Sequence, residues 1–336
     1  MRLHSIILSV TLSLGLILLA GSSLPGHESA AIGQSSPQAK PAQKPVQQKQ
    51  EQDQDEPVRL SSRLVLIPVS ATDASGQPVK DLKVEDIVIE EEGRPQQIVA
   101  LGEPGKTPIE IAILFDVSGS IHGQFAFEQQ AAVRFIREVL KPGDTVSIFS
   151  IGLTPKQVKA RTTSGEEAVA GVMGISPVKE ATAFFDSIVQ ASTYMDKNAD
   201  TGSRRVLVVI SDGEENYSRS HTLADALRKL QESDCLFYSI NPSGPGIRLN
   251  RVSLRGQDGM EAMALQTGGK AFLPDGTEQL QAVFNQITAE LQAQYLFGYY
   301  STDERNDGGF KRITVRAPGR PELRIRARQG YYIPKN

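Results

Sequence analysis

The sequence predicts an α/β fold, a doubly wound, mostly parallel sheet with a flanking β-domain built from both chain ends. Four runs in the middle of the 336-residue chain are almost continuously apolar: IEIAILFD, DTVSIFSI, RRVLVVISD and CLFYSI. Such runs are typical of strands buried on both faces. Amphipathic helical patterns separate them, as in a parallel sheet covered by helices. The segments on either side of this region instead alternate polar and apolar residues, which indicates strands with one exposed face.

The first part of the chain has the pattern of an export signal followed by a linker. Arg2 precedes an apolar stretch from Ile6 to Ala20, which is shorter than the ~20 residues that a membrane span needs. We therefore predict a signal peptide over residues 1–31, cleaved or retained as an anchor, and an exported protein that is periplasmic or extracellular. Residues 32–57 are rich in Gln, Pro and Lys, so a disordered linker is expected there.

Two separate segments are predicted to form the β-domain. Residues 58–105 contain RLVLIPVSATD and DIVIEEEGRPQQIVAL, and residues 301–336 contain FKRITVRAP and ELRIRARQGYYI. Each segment has too few strands to be stable alone, because an isolated hairpin is marginal in water. We therefore expect the two segments to pair, with residues 106–300 inserted between them as the α/β domain.

The helices of the α/β domain are predicted from apolar residues that recur every three or four positions. In the first helix the stripe consists of Phe127, Ala131, Phe135 and Val139. In the second helix it consists of Phe185, Ile188, Ser192 and Met195. Further helices are expected near Leu223 and Met260, and a last one from about Glu278 to Gln292.

Oxygen-bearing side chains gather in three loops of this domain. Their positions are Asp116, Ser118 and Ser120 after the first buried strand, Thr182 at the start of a helix, and Asp212 after the strand RRVLVVI. Ligands of such sheets bind outside the carboxyl ends of the strands, so we expect the loops to meet. Two carboxylates and three hydroxyls, completed by water, suit Mg²⁺ or Mn²⁺. The alternative is that each loop is structural, as a helix cap or a turn.

The order of these motifs resembles the von Willebrand factor type A (VWA) domain. Asp-x-Ser-x-Ser, a later Thr and then Ser-Asp-Gly are similar to its metal-ion-dependent adhesion site, and the resemblance covers roughly residues 107–300. The flanking strands resemble a bacterial family of exported VWA-related proteins. The resemblance implies that the two serines bind the metal directly, the threonine directly or through water, and the two aspartates mostly through water. The chain departs from the family at Glu180-Ala181, where a glycine usually precedes the threonine.

Several other functions are disfavoured by composition. The single cysteine, Cys235, excludes an intrachain disulfide or a thiolate metal cluster and is interpreted as a core residue. The formal net charge of -3 gives no indication of nucleic-acid binding. No Gly-x-Ser-x-Gly motif occurs, and no base or nucleophile accompanies the acidic loops, so we expect no enzymatic activity. His122 and His221 are interpreted as rim residues, and Glu214 and Glu215 as solvated.

The predicted function is therefore that of a protein-binding or adhesion module with a divalent-cation site. Only Asp116 and Asp212 bring formal negative charge to the cation, so an anionic group of a partner would be attracted to an open coordination position. The expected partner is a protein that presents a carboxylate. The alternative is a structural subunit of an envelope assembly, in which the metal site is only structural or vestigial.

Overall fold

The computed structural model of the protein describes residues 63–118, 125–178, 180–244, 250–305 and 307–333. The predicted signal peptide over 1–31 and the linker over 32–57 lie outside the described residues. Within the described ranges, no helix combines the length and the apolar character that crossing a bilayer requires.

Fourteen strands and six α-helices occur in these residues. The strands are β1 (Leu64–Thr72), β2 (Val88–Glu91), β3 (Arg94–Gln96), β4 (Ile98–Gly102), β5 (Ile109–Asp116), β6 (Thr145–Ile151), β7 (Lys156–Thr162), β8 (Arg204–Ile210), β9 (Cys235–Ile240), β10 (Lys270–Phe272), β11 (Tyr295–Tyr300), β12 (Phe310–Arg316), β13 (Arg324–Ala327) and β14 (Gly330–Tyr332). The helices are α1 (Phe125–Val139), α2 (Gly165–Met173), α3 (Phe184–Asn198), α4 (Leu223–Glu232), α5 (Arg251–Thr267) and α6 (Leu280–Ala293).

The central layer is a six-stranded sheet in the order β10-β9-β8-β5-β6-β7. All neighbouring pairs are parallel except β6 and β7, which are antiparallel. Helices cover both faces, because alternate residues of a strand point to opposite sides. Ile113 and Phe115 of β5 pack in one core with α1, α2 and α6, and Ala112 and Leu114 pack in the other with α3, α4 and α5. The predicted doubly wound, mostly parallel fold is confirmed.

Strand β5 lies at the point where the strand order reverses. From β5 the chain proceeds to β6 on one side, and then returns to β8, β9 and β10 on the other side. The pairing of β5 with β8 places Phe115 opposite Ile210, so the loops after these two strands leave the sheet side by side. Ligand sites of open α/β sheets lie at such a reversal.

The two flanking segments of the chain together form two four-stranded antiparallel sheets, and each sheet contains strands from both segments. The strand orders are β13-β1-β11-β4 and β14-β12-β2-β3. Strand β1 pairs with β11 and β13, and β12 pairs with β2 and β14. Side chains of both sheets share one apolar core that includes Ile67, Phe297 and Ile313. The expected flanking strands from both chain ends are thus present. Strand β11 falls within the segment 106–300 that we assigned to the α/β domain, and we propose that the C-terminal part of the β-domain begins at Tyr295.

The buried face of α1 differs from the predicted stripe. Phe127 is 60% exposed, whereas Phe125 and Glu128 are buried along with the expected Ala131, Phe135 and Val139. The stripe therefore starts two residues earlier and continues through Glu128 rather than Phe127. An acidic residue occupies a position where the apolar pattern alone would place a hydrophobic side chain.

Candidate metal centre

The two predicted aspartate ligands lie next to each other at the carboxyl edge of the central sheet. Asp116 is the last residue of β5, and Asp212 follows β8 by two residues. Both are inaccessible to solvent, with exposures of 0% and 1%. Their adjacency follows from the parallel pairing of β5 with β8, which brings the carboxyl ends of the two strands to the same edge.

Ser211 connects the two loops. Its hydroxyl donates a hydrogen bond of 2.5 Å to Oδ2 of Asp116 and accepts one of 2.9 Å from the Gly213 amide. The Ser118 amide donates to the other oxygen of Asp116, at 2.9 Å. Both carboxylate oxygens of Asp116 are therefore fixed in direction by short-range hydrogen bonds. Sequence reasoning missed Ser211, although it stands directly before the aspartate in the Ser-Asp-Gly motif.

Thr182 is held in the same site by the loop that follows Asp212. Its amide donates to Oδ1 of Asn216 at 2.8 Å, and its carbonyl accepts hydrogen bonds from the amides of Asn216 and Tyr217. The Thr182 side chain is buried, with an exposure of 2%. The Thr182 backbone is thus fastened to the loop after Asp212, although Glu180-Ala181 precede it in place of a glycine.

Further backbone hydrogen bonds fasten this segment to the first loop. The Val178 amide donates to the Val117 carbonyl at 2.7 Å, and the Ala183 amide donates to the Gly152 carbonyl at 2.9 Å. The three predicted loops therefore meet. Four of the five predicted ligands lie in them, namely Asp116, Ser118, Thr182 and Asp212. The fifth, Ser120, lies outside the described residues, as does His122.

Close contact between two glycines determines where the Asp212 loop lies. Gly213 has a φ of +73°, a conformation that side chains rarely adopt. A Cβ atom at Gly213 would lie 2.9 Å from the carbonyl carbon of Gly256 in α5, and one at Gly256 would overlap the Gly213 carbonyl. Only glycine at both positions lets the backbone after Asp212 lie against the helix.

Burial and mutual repulsion alter the acidity of this centre. Burial, and to a smaller extent the charge of Asp212, raises the pKa of Asp116 to about 6, against the opposing effect of the hydrogen bonds from Ser211 and Ser118. No Lys or Arg side chain of the described residues forms an ion pair with Asp116. Among the described residues, only hydroxyl and amide donors therefore stabilise its negative charge, and a cation would stabilise it further.

A third acidic side chain, Glu128 of α1, belongs to this region and was missed by sequence reasoning. It is fully buried, and within the described part of the chain neither of its carboxyl oxygens has a hydrogen-bond partner. Burial, and then the charges of Asp116 and Asp212, raise the pKa of Glu128 to about 8. The signal that would have identified it is its position, since it lies on the apolar stripe of α1.

Glu214 and Glu215, which we predicted to be solvated, are only partly exposed. Both accept hydrogen bonds that hold the loops in place. Glu215 accepts hydrogen bonds from the Phe185 amide at the start of α3 and from the Ser218 amide and hydroxyl. Glu214 accepts a hydrogen bond of 2.5 Å from the Ser253 hydroxyl. His221, predicted as a rim residue, is 2.8 Å from Asp186 through its Nδ1 atom.

The donor set fits a hard divalent cation. It consists of carboxylate and hydroxyl oxygens from three loops, the ligands that Mg²⁺ and Mn²⁺ prefer. In the described ranges, no group of three or more His, Cys, Asp or Glu side chains is arranged to hold an ion. A cation bound here would therefore need ligands besides the carboxylates, and the hydroxyls of Ser118 and Thr182, or water, could supply them.

Comparisons with known proteins agree with this description of the central domain. Residues 111–215 match the family model of the von Willebrand factor type A domain. A search of curated proteins finds no match to the chain.

Solved structures with similarity to this chain cover a little more than half of it. The conserved hypothetical protein BatB from Bacteroides thetaiotaomicron is 18% identical, with a TM-score of 0.42, over 54% of this chain and 97% of that protein. The vWF domain of the type V pili tip protein Mfa5 from Porphyromonas gingivalis is 12% identical, with a TM-score of 0.44, over 54% and 94%. Proximal thread matrix protein 1 from the mussel byssus, with a zinc-occupied MIDAS motif, is 13% identical, with a TM-score of 0.47, over 61% and 50%.

Proposed function

We propose that this protein, whose residues 111–215 match the von Willebrand factor type A domain, is an exported binding module that captures an acidic group of a partner protein through a divalent cation. The cation is Mg²⁺ or Mn²⁺, and its ligands are Asp116, Ser118, Ser120, Thr182 and Asp212. When bound, it supplies a positive charge and an open coordination position for the partner's carboxylate.

The observation that carries this proposal is the burial of Asp116 next to Asp212 at the reversal of strand order. Burying a carboxylate without a paired cation costs several kcal/mol, and the donors to Asp116 in the described part of the chain are hydroxyl and amide groups. A site that keeps such a charge out of water is arranged to receive a cation. The residues of the chain bind and orient it, with Ser211 fixing one oxygen of Asp116 and Asn216 fixing the backbone of Thr182.

Apolar side chains next to these loops support a protein as the partner. Leu153, Val178 and Val252 are 37%, 36% and 45% exposed. Leu153 follows Gly152 and Val178 hydrogen-bonds to Val117, so both adjoin the candidate ligands. Val252 is next to Ser253, whose hydroxyl donates a hydrogen bond to Glu214 in the loop after Asp212. An apolar rim around a charged centre is the composition expected of a protein-binding surface.

The alternative, in which a cation only holds the loops together in a structural subunit, is less well supported. The three loops are already joined by hydrogen bonds of the backbone and of the Ser211 and Asn216 side chains. A cation is therefore not needed to hold the loops together.

We place the protein outside the cytoplasm on the basis of Arg2 and the apolar stretch after it, and mass spectrometry of the mature N-terminus tests that assignment.

The test measures Mg²⁺ binding and partner capture with matched variants. Wild type is expected to bind Mg²⁺ in calorimetry and to retain a partner from an extract of the source organism's cell envelope in Mg²⁺ but not in chelator. Asp116→Ala should lose both properties while remaining folded. Asp258→Ala, which removes an exposed aspartate of α5, should behave as wild type.

Two results would contradict the proposal. If Asp116→Ala binds Mg²⁺ as tightly as wild type, the cation site is wrong. If no variant binds metal but capture persists in chelator, the loops are structural and the envelope-subunit alternative is correct.

A further inference from the structure

Glu128 is an acid in an otherwise apolar environment. It lies on α1 between Phe125 and Ala132, on the face that packs against the central sheet, and its exposure is 0%. Buried polar groups in proteins are almost always hydrogen-bonded, because an unpaired one loses its hydration without replacement. An acid at this position therefore needs a partner.

The neighbouring residue shows what a structural polar side chain looks like on the same helix. Gln129 is also buried, and its amide donates to the carbonyls of Val172 and Ile175, at 2.8 and 3.0 Å. It thereby joins α1 to the end of α2. Both oxygens of Glu128, by contrast, lack a hydrogen-bond partner among the described residues. Helix packing accounts for Gln129 and leaves Glu128 unexplained.

The charges that act on Glu128 are those of the candidate metal centre. Asp116 and Asp212 both disfavour its ionised form, so the three carboxyl groups share one buried region. A positive charge within reach of all three would relieve the repulsion among their ionised forms and favour the ionised form of Glu128. The described residues do not arrange three acidic side chains directly around one ion, so a contact between Glu128 and a cation bound at Asp116 and Asp212 would have to pass through water.

We propose that Glu128 is a further carboxyl group of the cation site and accepts a hydrogen bond from a water molecule bound to the divalent cation. This inference rests on the proposed function of the site. Glu128 is a positioning residue, which holds the inner water of the cation in place and adds a negative charge on the buried side. Residues that act on a metal through such an outer contact typically change its affinity by 10- to 100-fold.

The experiment is a calorimetric titration with Mg²⁺ of four forms of the full chain: wild type and three variants. Glu128→Gln, which keeps the shape and removes the charge, is expected to weaken Mg²⁺ binding by about 10- to 100-fold. Glu138→Gln removes a charge from the exposed side of the same helix and should leave the affinity within about twofold of wild type, because solvent screens that charge. Asp116→Ala should abolish binding.

The outcomes separate this inference from the function on which it rests. If Glu128→Gln binds Mg²⁺ as wild type does while Asp116→Ala does not, the inference is wrong and the cation site stands. If wild type does not bind Mg²⁺, both are wrong. If Glu128→Gln does not fold, Glu128→Met is tested in its place, because an apolar side chain suits the buried stripe of α1. The Mg²⁺-dependent rise in melting temperature then reports the loss, and a rise equal to that of wild type overturns the inference.

Discussion

The two ends of strand β5 both carry a buried acid, and the two acids are treated in opposite ways. Glu110, the second residue of the strand, is 6% exposed, and Asp116, its last residue, is 0% exposed. The same seven-residue stretch thus has an anionic group at each edge of the sheet. Because the strand and the sheet are common to both, the difference between them reflects what each edge is arranged to do.

At the amino end, basic and polar groups of the chain neutralise the acid. Arg161 of β7 approaches Glu110 through Nε at 3.0 Å and Nη2 at 2.6 Å, and the Thr145 hydroxyl and the Asp200 amide also donate to it. Burial raises the pKa of Glu110, but these donors, with Arg161 foremost, hold it below its ordinary value. This edge is complete without a ligand.

At the carboxyl end, the acids face one another. Asp116 receives hydrogen bonds from Ser118 and Ser211 but no ion pair from a described Lys or Arg, and Glu128 receives no hydrogen bond from the described residues. The pKa values of both acids are raised, to about 6 and about 8. One edge therefore contributes to the stability of the fold, whereas the other reduces it, which is the stability cost of the cation site that we propose there.

Removing Arg161 at the amino edge of the sheet tests the first half of this comparison and should have the largest effect on stability. Arg161→Met leaves Glu110 buried and without its cation, and we expect a loss of about 3 kcal/mol in the free energy of unfolding. Urea denaturation at pH 7 measures it. Lys159→Met is the control on the same strand, since Lys159 pairs with Glu167, which is more than half exposed, and should cost less than about 1 kcal/mol. Equal losses for the two variants would show that Glu110 does not depend on Arg161.

Removing the acid Glu128 at the carboxyl edge should change the free energy of unfolding in the opposite direction. In chelator at pH 8.5, Glu128→Gln is expected to be more stable than wild type by about 2 kcal/mol, because it removes a buried, unpaired charge. Burial raises the pKa of Glu128 to about 8 from an ordinary value of 4.5. The stability that this group gives the folded state is therefore fully present below pH 4.5 and is lost as the pH rises through 8.

The pH dependence provides the check on that variant. The difference between Glu128→Gln and wild type should vanish at pH 4, where both side chains are neutral, and grow as the pH rises. Thermal denaturation in chelator at the two pH values measures it. A variant that is less stable than wild type at pH 8.5 would mean that Glu128 is ionised and already paired in the folded protein.

The smallest expected effect concerns the hydroxyl that links the two acidic loops. Ser211→Ala removes the donor to Asp116 and the acceptor of the Gly213 amide, which should cost about 1 kcal/mol of unfolding free energy. It should also weaken Mg²⁺ binding, because Asp116 is then less firmly oriented. Ser147→Ala is the control, since this buried serine of the same sheet makes only a 3.5 Å contact with a carbonyl. Mg²⁺ affinity unchanged in Ser211→Ala would show that the hydroxyl has no part in the site.

The elements predicted well from the sequence are those whose burial is uniform. Strands β5, β6, β8 and β9 are buried along nearly their whole length, so composition alone identifies them. Strand β7 was missed because KQVKART is an edge strand whose mostly polar side chains are largely half-buried, and its antiparallel pairing depends on β6. Its role also depends on tertiary contacts, since Arg161 reaches Glu110 across 51 residues of sequence.

The candidate site was predictable where motif and strand end coincide, as for Asp116 and Asp212. Glu128 could not be found in the same way, because its significance comes from burial rather than from a motif. The apolar pattern of α1 was assigned to Phe127, which the structure exposes, and that error concealed the acid one residue later. An acid on the buried stripe of a helix that follows the candidate metal-binding motif is the pattern that would have revealed it.

The way in which the chain leaves the antiparallel sheets and returns to them has a mechanical consequence. Gly102 of β4 and Leu296 of β11, between which the α/β domain is inserted, are paired with each other. Tension applied between residues 63 and 333 therefore loads the hydrogen bonds of the antiparallel sheets, together with the contacts that Arg328 and Gln329 make with Asp234 and Gln266. The backbone between Gly102 and Leu296 would not be extended until the pairing of β4 with β11 breaks, because that pairing bridges the two points at which the chain leaves and re-enters the sheet.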